Sequence, residues 1–481
     1  MIQSSNIQVP TEHPWGECEV PISSEYGRIK RLLDLYRMDE DFREAFHRTP
    51  HLVTESLGLP IRAEDLHKTV HPHYVALSQG RTGPLPDDTP PELAAYLALR
   101  DRQQAERIRR RDHMGPSHTK LAAWRRRQIA RCRLQLPTEF YDTIMHGPFA
   151  IELSSGCSAG CWFCAVSAQE FKGHFPHRTE EAALFRGVLN ALHELQGTEF
   201  AREGVLYWAT DPLDNPEYEY FLDDFVREFG RAPTTTTSLA AVDLERTRRL
   251  LDRIASHSCW FQRFSIVKKR DLRSIMDAFS PEETANVEFL PAFSKLQPLT
   301  RSGRALEVAA RQDARGKEAP EQLLDQESTC ACVTGFLVNM VERTVSLISP
   351  HPATPDAPHG YLEFGQRNFT DIGEFERVIN ELADAVGDPS LDPDDVVGLP
   401  HGVRVSYEAP HVLIVHGQSC TLRLQHPAIT ESLVRSLERP TTCLEFVSAS
   451  HDTQGIAAVF DLLNQLHGHG VISRQTEDAR P

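Results

Sequence analysis

The sequence of 481 residues contains no stretch that approaches the ~20 uninterrupted apolar residues of a membrane-spanning helix. Its mean hydropathy of −0.39 agrees with that absence. The first twenty residues lack a basic head followed by an apolar run, so we expect no secretory signal. Both absences predict a cytoplasmic protein without a membrane partner. In a reducing compartment, the ten cysteines are expected to be thiols or metal ligands rather than disulfides.

Positive charge is also in short supply. The chain has 51 Lys and Arg residues against 68 Asp and Glu residues, a formal net charge of −17. Such an acidic chain is a poor non-specific binder of nucleic acid, so we expect no nucleic-acid partner. The hydrophobic fraction of 40% and the charged fraction of 25% exclude wholesale disorder. The composition is that of a soluble enzyme.

At about 150 residues per domain, the length predicts about three folded units. Residues 1–90 are expected to form a loose arm and a small helical unit, because apolar residues recur at helical spacing over 26–46. Residues 91–144 are interpreted as a basic helical connector, with the sequences RIRRR at 107–111 and WRRR at 124–127. Such a charge run is usually a solvated helix face, although its sign leaves room for an acidic partner to dock there.

Residues 145–350 alternate between short apolar strands and helices, which predicts a parallel sheet, either a barrel or a doubly wound sheet. The predicted strands are 149–154, 204–210, 233–239, 262–268, 286–293 and 334–341. Residues 351–398 are rich in Pro and Asp and are interpreted as a connector with one amphipathic helix. Residues 399–481 run from short strands to helices and a closing strand, the order of a small winged-helix domain.

Three cysteines follow the first predicted strand at a spacing of i, i+4 and i+7: Cys157, Cys161 and Cys164. Three thiolates on one loop can converge on a soft metal centre, and thiolates are the preferred ligands of iron–sulfur clusters. Gly156 and Gly160 allow the loop to turn tightly. Three ligands leave one iron of a 4Fe–4S cluster open. A zinc site would need a fourth ligand at a comparable spacing, and three free core cysteines within eight residues are the other alternative.

This Cx3CxxC motif after the first strand of a β/α series resembles that of the radical S-adenosylmethionine (SAM) superfamily. The resemblance implies an α/β fold with a partial (β/α)6 barrel. It also implies a 4Fe–4S cluster on Cys157, Cys161 and Cys164, with SAM as cosubstrate bound to the open iron. In that family, an electron from a flavodoxin- or ferredoxin-type donor cleaves SAM to a 5′-deoxyadenosyl radical.

Other positions match the family's SAM-binding regions. Thr210 and Asp211 stand where the family usually carries a Gly-Gly-Glu-type loop for the ammonium group of SAM, although an ordinary Asp-Pro turn is the alternative. Arg263 and Ser265 alternate on the fourth predicted strand, so both could face the inside of a barrel. Arg304 could approach the adenine or the carboxylate of SAM.

Two motifs that define subclasses of the radical SAM superfamily are missing, and each absence argues against one of those subclasses. No Asp-x-His-x-x-Gly motif is present, so cobalamin-dependent methylation is not expected. The C-terminal half also lacks a dense cysteine pattern for auxiliary clusters, since Cys330, Cys332, Cys420 and Cys443 are scattered.

The chain further resembles the proteusin-type peptide epimerases, which modify ribosomally synthesised precursor peptides. Residues 399–481 resemble a PqqD-like winged-helix domain, which binds a leader peptide by strand addition. Residues 39–66 resemble the helical extension that precedes the barrel in those epimerases, and residues 327–350 resemble its late segment. This resemblance implies inversion of L-residues to D-residues in a precursor peptide, and thus a hydrogen donor opposite the radical.

A cysteine thiol suits hydrogen donation because its S–H bond is weak. We predict Cys332 as the donor, with Cys330 as the alternative, and if this segment is a strand both side chains share a face. A small buried core residue is the ordinary role of a free cysteine. Two other functions stay open. One is a different radical SAM peptide maturase, forming thioether or C–C crosslinks, and the other is a non-catalytic metal-containing protein that only binds peptides.

Overall fold

A computed structural model describes residues 24–59, 61–67, 70, 87, 89–257, 261–294, 297–321, 323–324, 328–387, 390–450 and 455–474. The chain is a mixed α/β protein whose described residues form two compact units. Of the described residues, the first unit contains those up to Tyr36 and those within Glu40–Glu106 and Ser280–Ala285, and the second contains Arg37–Asp39, those within Arg107–Phe279 and those from Asn286. The arm expected over the first twenty residues lies outside the described residues.

The first unit is helical. Its elements are α1 (Ser24–Met38) up to Tyr36, α2 (Glu40–Arg48), α3 (Pro50–Ser56) and the first part of α4 (Pro91–His113). The helical run expected over 26–46 is interrupted at Asp39, where α1 has ended and α2 has not begun. The predicted apolar stripe forms the core, since Ile29, Leu32 and Phe46 pack together with Leu93.

The second unit contains the elements around the site and the C-terminal region. Its helices up to residue 387 are α5 (Thr119–Gln135), α6 (Thr138–Tyr141), α7 (Thr179–Gln196), α8 (Thr198–Ala201), α9 (Tyr218–Phe229), α10 (Leu244–Ala255), α11 (Lys269–Ala278), α12 (Arg304–Asp313) and α13 (Ile372–Gly387). Its strands up to there are β1 (Gly147–Glu152), β2 (Ser154–Ser155), β3 (Gly173–His174), β4 (Thr236–Thr237), β5 (Gln262–Ile266), β6 (Val287–Pro291), β7 (Val333–Asn339), β8 (Thr344–Pro350) and β9 (Tyr361–Asn368).

Two sheets hold most of these strands. One has the order β1-β7-β8-β9, with β1 and β7 parallel and the remaining pairs antiparallel, and the other is the parallel sheet β4-β5-β6. The predicted strand at 204–210 is reduced to one parallel bridge between Val205 and Ala150. The predicted strand at 334–341 lies directly beside β1. The alternation of strands and helices therefore predicts the parallel pairings, but not the two antiparallel strands that extend the first sheet.

Residues 361–387 lie within the predicted connector 351–398, but they form part of the core of the second unit. Strand β9 extends the first sheet, and α13 packs against α5 and α7. The apolar face of α13 is fully buried, including Phe375, Val378 and Leu382. An amphipathic helix next to an open sheet face buries that face because apolar surface gains free energy on leaving water.

The basic helix α5 is not a solvated face along its whole length. Arg125, Arg127 and Arg131 are only 3%, 4% and 2% exposed. Their guanidinium groups donate to backbone carbonyl oxygens, such as those of His146 at 3.0 Å, Val386 at 2.6 Å and Pro350 at 2.8 Å. Arginine is suited to this role because its several donors can satisfy carbonyls of different segments at once.

The C-terminal region of the second unit has its own core. It contains β10 (Val396–Gly398), β11 (Arg404–Glu408), β12 (Val412–His416), β13 (Thr421–Gln425), α14 (Glu431–Ser436), β14 (Thr441–Thr442), α15 (Cys443–Ser450), α16 (Ile456–Gly468) and β15 (Ser473–Arg474). Strands β11-β12-β13 form an antiparallel sheet, and β10 pairs with β14 and β15. Leu134 of α5 packs into this core. None of the helices that the structure describes is long and apolar enough to cross a membrane.

Candidate functional site

The loop that carries the three cysteines begins just beyond β1. Gly156 has a φ of +75°, and a Cβ at that position would lie 2.2 Å from the carbonyl oxygen of Glu170. The backbone N–H of the next residue, Cys157, donates to the carbonyl oxygen of Gln169 at 2.9 Å. Glycine is therefore required here both by its backbone conformation and by the close approach of the returning chain.

Cys157, Cys161 and Cys164 line one cavity of about 360 Å³. Burial raises the pKa of Cys157 to about 12 and also raises that of Cys161. Among the described residues, no group of three or more His, Cys, Asp or Glu side chains is arranged to hold a metal ion. The donor set nevertheless fits an iron–sulfur cluster, because three thiols share one cavity and a bound metal displaces their protons.

Arg304, at the start of α12, forms hydrogen bonds with the backbone of the cysteine loop. Its Nη1 donates to the carbonyl oxygen of Cys161 at 2.7 Å, and its Nη2 donates to that of Ala168. Its backbone N–H donates to the carbonyl oxygen of Cys164 at 2.9 Å. Arg304 also lines the cavity, so it both shapes the loop and contributes a positive charge at the site.

Thr210 and Asp211 line the same cavity. Asp211 is 4% exposed, and its carboxylate accepts hydrogen bonds from the Thr237 hydroxyl at 2.7 Å and the Ser238 backbone N–H at 2.6 Å. Burial raises the pKa of Asp211 to about 6, although these hydrogen bonds act in the opposite direction. Ser238 in turn lies 3.8 Å from the Cys161 sulfur, measured from hydroxyl oxygen to Sγ. Asp211 thus links the predicted SAM-binding turn to the cysteine loop.

The structure separates the two predicted residues of β5. Ser265 lines the cavity. Arg263 does not line it and instead pairs with Glu288 on the neighbouring strand β6, at 2.9 Å between Nη2 and Oε2. The register places Arg263 directly opposite Glu288, and an ion pair across adjacent strands satisfies both side chains.

The two predicted donor cysteines also differ in position. Cys330 lines the cavity together with the three motif cysteines. Cys332 packs against a small apolar cluster that includes Ala150, Val333 and Ile348. Both precede β7, which begins at Val333, so the strand geometry that would place them on one face does not apply. Of the two thiols, Cys330 is the one placed at the cavity wall.

A protein from Sinorhizobium fredii (strain NBRC 101917 / NGR234), uncharacterized protein y4wI, is 33% identical to this chain over 476 residues. The similarity covers 94% of this chain and 88% of the relative. The chain belongs to the y4wI family. No family model matches the sequence. The crystal structure of BtrN in complex with AdoMet and 2-DOIA overlaps 50% of this chain and 83% of its own, with 16% identity and a TM-score of 0.29. That overlap is too loose to align site residues.

One member of the site in this y4wI-family chain is missed by the sequence analysis. Glu152, at the end of β1, is 7% exposed, and its carboxylate accepts the backbone N–H of Ala209 at 2.8 Å and the side-chain amide of Asn339 at 3.0 Å. Burial raises its pKa to about 7. Ala209 lines the cavity, so Glu152 positions the segment that leads to Thr210 and Asp211. A charged residue inside the apolar strand FAIELS is the signal that could have revealed it.

Proposed function

We propose that this chain is a radical SAM enzyme that epimerises residues of a ribosomally synthesised precursor peptide. The observation that carries the proposal is that the three motif cysteines and a fourth thiol, Cys330, line one cavity. The cavity also lies at the carboxyl ends of β1, β4, β5 and β6, the edge at which α/β proteins commonly bind their ligands. This arrangement supports the partial (β/α)6 barrel as the architecture of the site.

In the proposed enzyme, Cys157, Cys161 and Cys164 hold a 4Fe–4S cluster. Together with SAM and an electron from a flavodoxin- or ferredoxin-type donor, the bound cluster supplies a radical that abstracts hydrogen. The residues of the chain then have defined roles. Arg304 fixes the cysteine loop, and Thr210, Asp211 and Ser265 offer oxygen atoms to the polar groups of SAM.

Besides holding the cluster, a thiol of the protein would donate a hydrogen atom to the peptide radical. Cys330 is the better placed of the two predicted donors because it faces the cavity. Burial raises the pKa of Cys330 to about 12, so the group is a protonated thiol at neutral pH. A thiol, and not a thiolate, carries the hydrogen atom that inversion requires. Its donation leaves a thiyl radical on Cys330, which one further electron from the flavodoxin- or ferredoxin-type donor and a proton return to the thiol. Cys332 remains the alternative donor, one residue beyond Ala331.

The remaining parts of the proposal concern the substrate. The C-terminal strands and helices would act as the PqqD-like domain that holds the leader of the precursor peptide. Residues 39–66 would form the helical extension of the epimerases. Neither assignment needs a nucleic-acid or membrane partner, and the reaction belongs in the reducing cytoplasm, where the thiols stay free.

The test uses full-length protein reconstituted with iron and sulfide without oxygen. We expect a charge-transfer absorption band, reductive cleavage of SAM to 5′-deoxyadenosine, and D-residues in a supplied candidate precursor peptide. A Cys157/Cys161/Cys164 triple alanine variant should lose all three, whereas the control Cys132→Ala, at a buried cysteine outside the cavity, should keep them. SAM cleavage by the triple variant would refute the radical SAM assignment. A product two mass units lighter, in place of D-residues, would indicate a crosslinking maturase. A wild-type protein without band and cleavage would indicate a peptide-binding protein.

A further inference from the structure

A second cavity, of about 630 Å³, lies between helix α5 and the start of strand β13. Arg126 and Arg133 line it from α5, and Cys420 and Leu422 line it from the strand side. His469, just beyond the end of α16, also lines it. The proposed reaction uses none of these residues, and all of them belong to the second unit.

The charge of this cavity is opposite in sign to that of the whole chain. Arg126 and Arg133 are exposed, and within the described part of the chain neither of them forms an ion pair. The carboxylate among the lining residues, Asp112, is already bound by the Nε of Arg111 at 2.8 Å. In a chain of net charge −17, a pair of unneutralised arginines at a concave surface favours an anionic ligand.

The strand side of the cavity offers a template for a peptide. In the order β11-β12-β13, only β12 pairs with β13 among the described strands, so the other edge of β13 has unpaired backbone groups. Such an edge accepts an extended chain by strand addition. The turn before β13 is attached to α5, because the Gln418 N–H donates to the Leu134 carbonyl oxygen at 2.7 Å. This contact keeps the strand edge and the arginines at a fixed spacing.

The spacing of the arginines suits an extended chain. Residues seven apart on a helix lie on one face and about 10 Å apart along the axis. In an extended peptide, side chains on one face recur about every 7 Å. Carboxylates two to four residues apart on such a peptide can therefore reach both guanidinium groups.

We propose that this cavity binds an extended acidic peptide segment, with its main chain along β13 and its carboxylates at Arg126 and Arg133. The inference rests on the proposed peptide substrate and adds that α5 supplies half of the recognition surface. The site is thus not contained within the C-terminal region alone. Binding by charge also explains how an acidic protein retains an acidic peptide, since the two arginines give it a local region of positive potential.

The test measures binding of a fluorescein-labelled twelve-residue peptide of alternating Glu and Thr by fluorescence anisotropy. The matched control peptide has Lys in place of Glu. Arg133→Glu and Arg126→Glu should each weaken binding of the Glu peptide by about tenfold. Arg439→Glu, which changes the net charge equally at an exposed position outside the cavity, should leave the dissociation constant unchanged.

A second measurement locates the bound peptide. Cys420 lines the cavity and is partly exposed, so bound Glu peptide should slow its alkylation by iodoacetamide about fivefold or more by mass spectrometry. Alkylation of Cys330, in the other cavity, serves as the internal reference and should not change. The proposed site would be refuted if the Glu peptide did not change the alkylation rate of Cys420. It would also be refuted if both arginine variants bound the Glu peptide with unchanged affinity. If a single-stranded oligonucleotide bound more tightly than the Glu peptide, and the same arginine variants weakened its binding, the ligand would be a nucleic acid and the peptide proposal would be refuted.

These assays need neither cluster nor SAM, so their failure is distinguishable from failure of the proposed reaction. If the protein cleaves SAM but does not bind the peptide, only the proposal of this peptide site is refuted. Peptide binding by a protein that never cleaves SAM would support the peptide site and refute the proposed enzymatic activity.

Discussion

The guanidinium group of Arg304 donates a hydrogen bond of 2.7 Å to the carbonyl oxygen of Cys161, across 143 residues of sequence. The same side chain reaches the carbonyl oxygen of Ala168, and its backbone N–H binds that of Cys164. The conformation of the cysteine loop therefore depends on the N-terminal end of α12. A loop that must present three thiols to one metal centre gains from such an external support, because hydrogen bonds from outside the loop fix the positions of the ligands.

We expect Arg304→Ala to destabilise the protein by about 2 kcal/mol, because hydrogen bonds to a charged donor are lost at partly buried carbonyls. Iron content after reconstitution should fall together with 5′-deoxyadenosine formation. The control is Arg301→Ala, since among the described residues Arg301 pairs only with the exposed Asp313, at 3.3 Å. Equal iron content in both variants would show that the loop holds its shape without Arg304.

Gly303 allows the close approach of α12 to the cysteine loop. Its φ is +55°, and a Cβ there would lie 2.3 Å from the carbonyl oxygen of Ala165. We expect Gly303→Ala to cost ~2–4 kcal/mol in the free energy of unfolding, measured by urea denaturation. Gly316→Ala is the matched control, because Gly316 has a φ of +66° but no atom within 4 Å of the added Cβ. Similar losses in both variants would mean that only backbone conformation, and not the contact, is costly.

Abstraction and donation of hydrogen occur on opposite faces of the peptide radical, so removal of the donor should leave abstraction intact. We expect Cys330→Ala to form 5′-deoxyadenosine in deuterated water while producing few D-residues. The wild type should gain one mass unit per inverted residue, because a thiol exchanges with solvent before it donates. Cys332→Ala is the comparison, and full inversion by Cys330→Ala together with failure of Cys332→Ala would assign donation to Cys332.

Glu152 should make stability depend on pH. Its folded-state pKa of about 7 lies above the ordinary value of 4.5, so the folded protein binds a proton more tightly than the unfolded chain. The stabilising contribution is complete below about pH 4 and is lost as pH rises towards 7, by roughly 3 kcal/mol. Thermal unfolding should therefore show a steeper loss of stability between pH 5 and 8 for the wild type than for Glu152→Gln. Parallel curves for the two proteins would contradict this assignment.

Those parts of the site that are local in the sequence could be predicted from it. The spacing of Cys157, Cys161 and Cys164, together with Gly156 and Gly160, identifies the loop without any knowledge of the fold. Thr210, Asp211, Ser265 and Arg304 could be proposed because each follows or lies in a predicted strand, and all four line the cavity. The choice between Cys330 and Cys332 could not be made, because it depends on where β7 begins.

Interactions that depend on register or on distant backbone could not be predicted. The pairing of Arg263 with Glu288 requires the alignment of β5 with β6. The buried arginines of α5 are a second example, since a run of charge normally indicates solvent. Arg127 and Arg131 donate to the carbonyl oxygens of Val386 and Pro350, each more than two hundred residues away, and those hydrogen bonds allow their burial.

The position of Leu134 also bears on how this protein could have been assembled from parts. Leu134 belongs to α5, yet it is 1% exposed within the C-terminal core, and Gly417 has room for no side chain against it, since a Cβ there would lie 2.8 Å from the Leu134 backbone. If recombination replaced residues 399–481 alone, α5 would keep side chains that fit the original C-terminal core and not the new one. Recombination is therefore expected to preserve the C-terminal region and α5 as a pair, although more than 260 residues of sequence separate them.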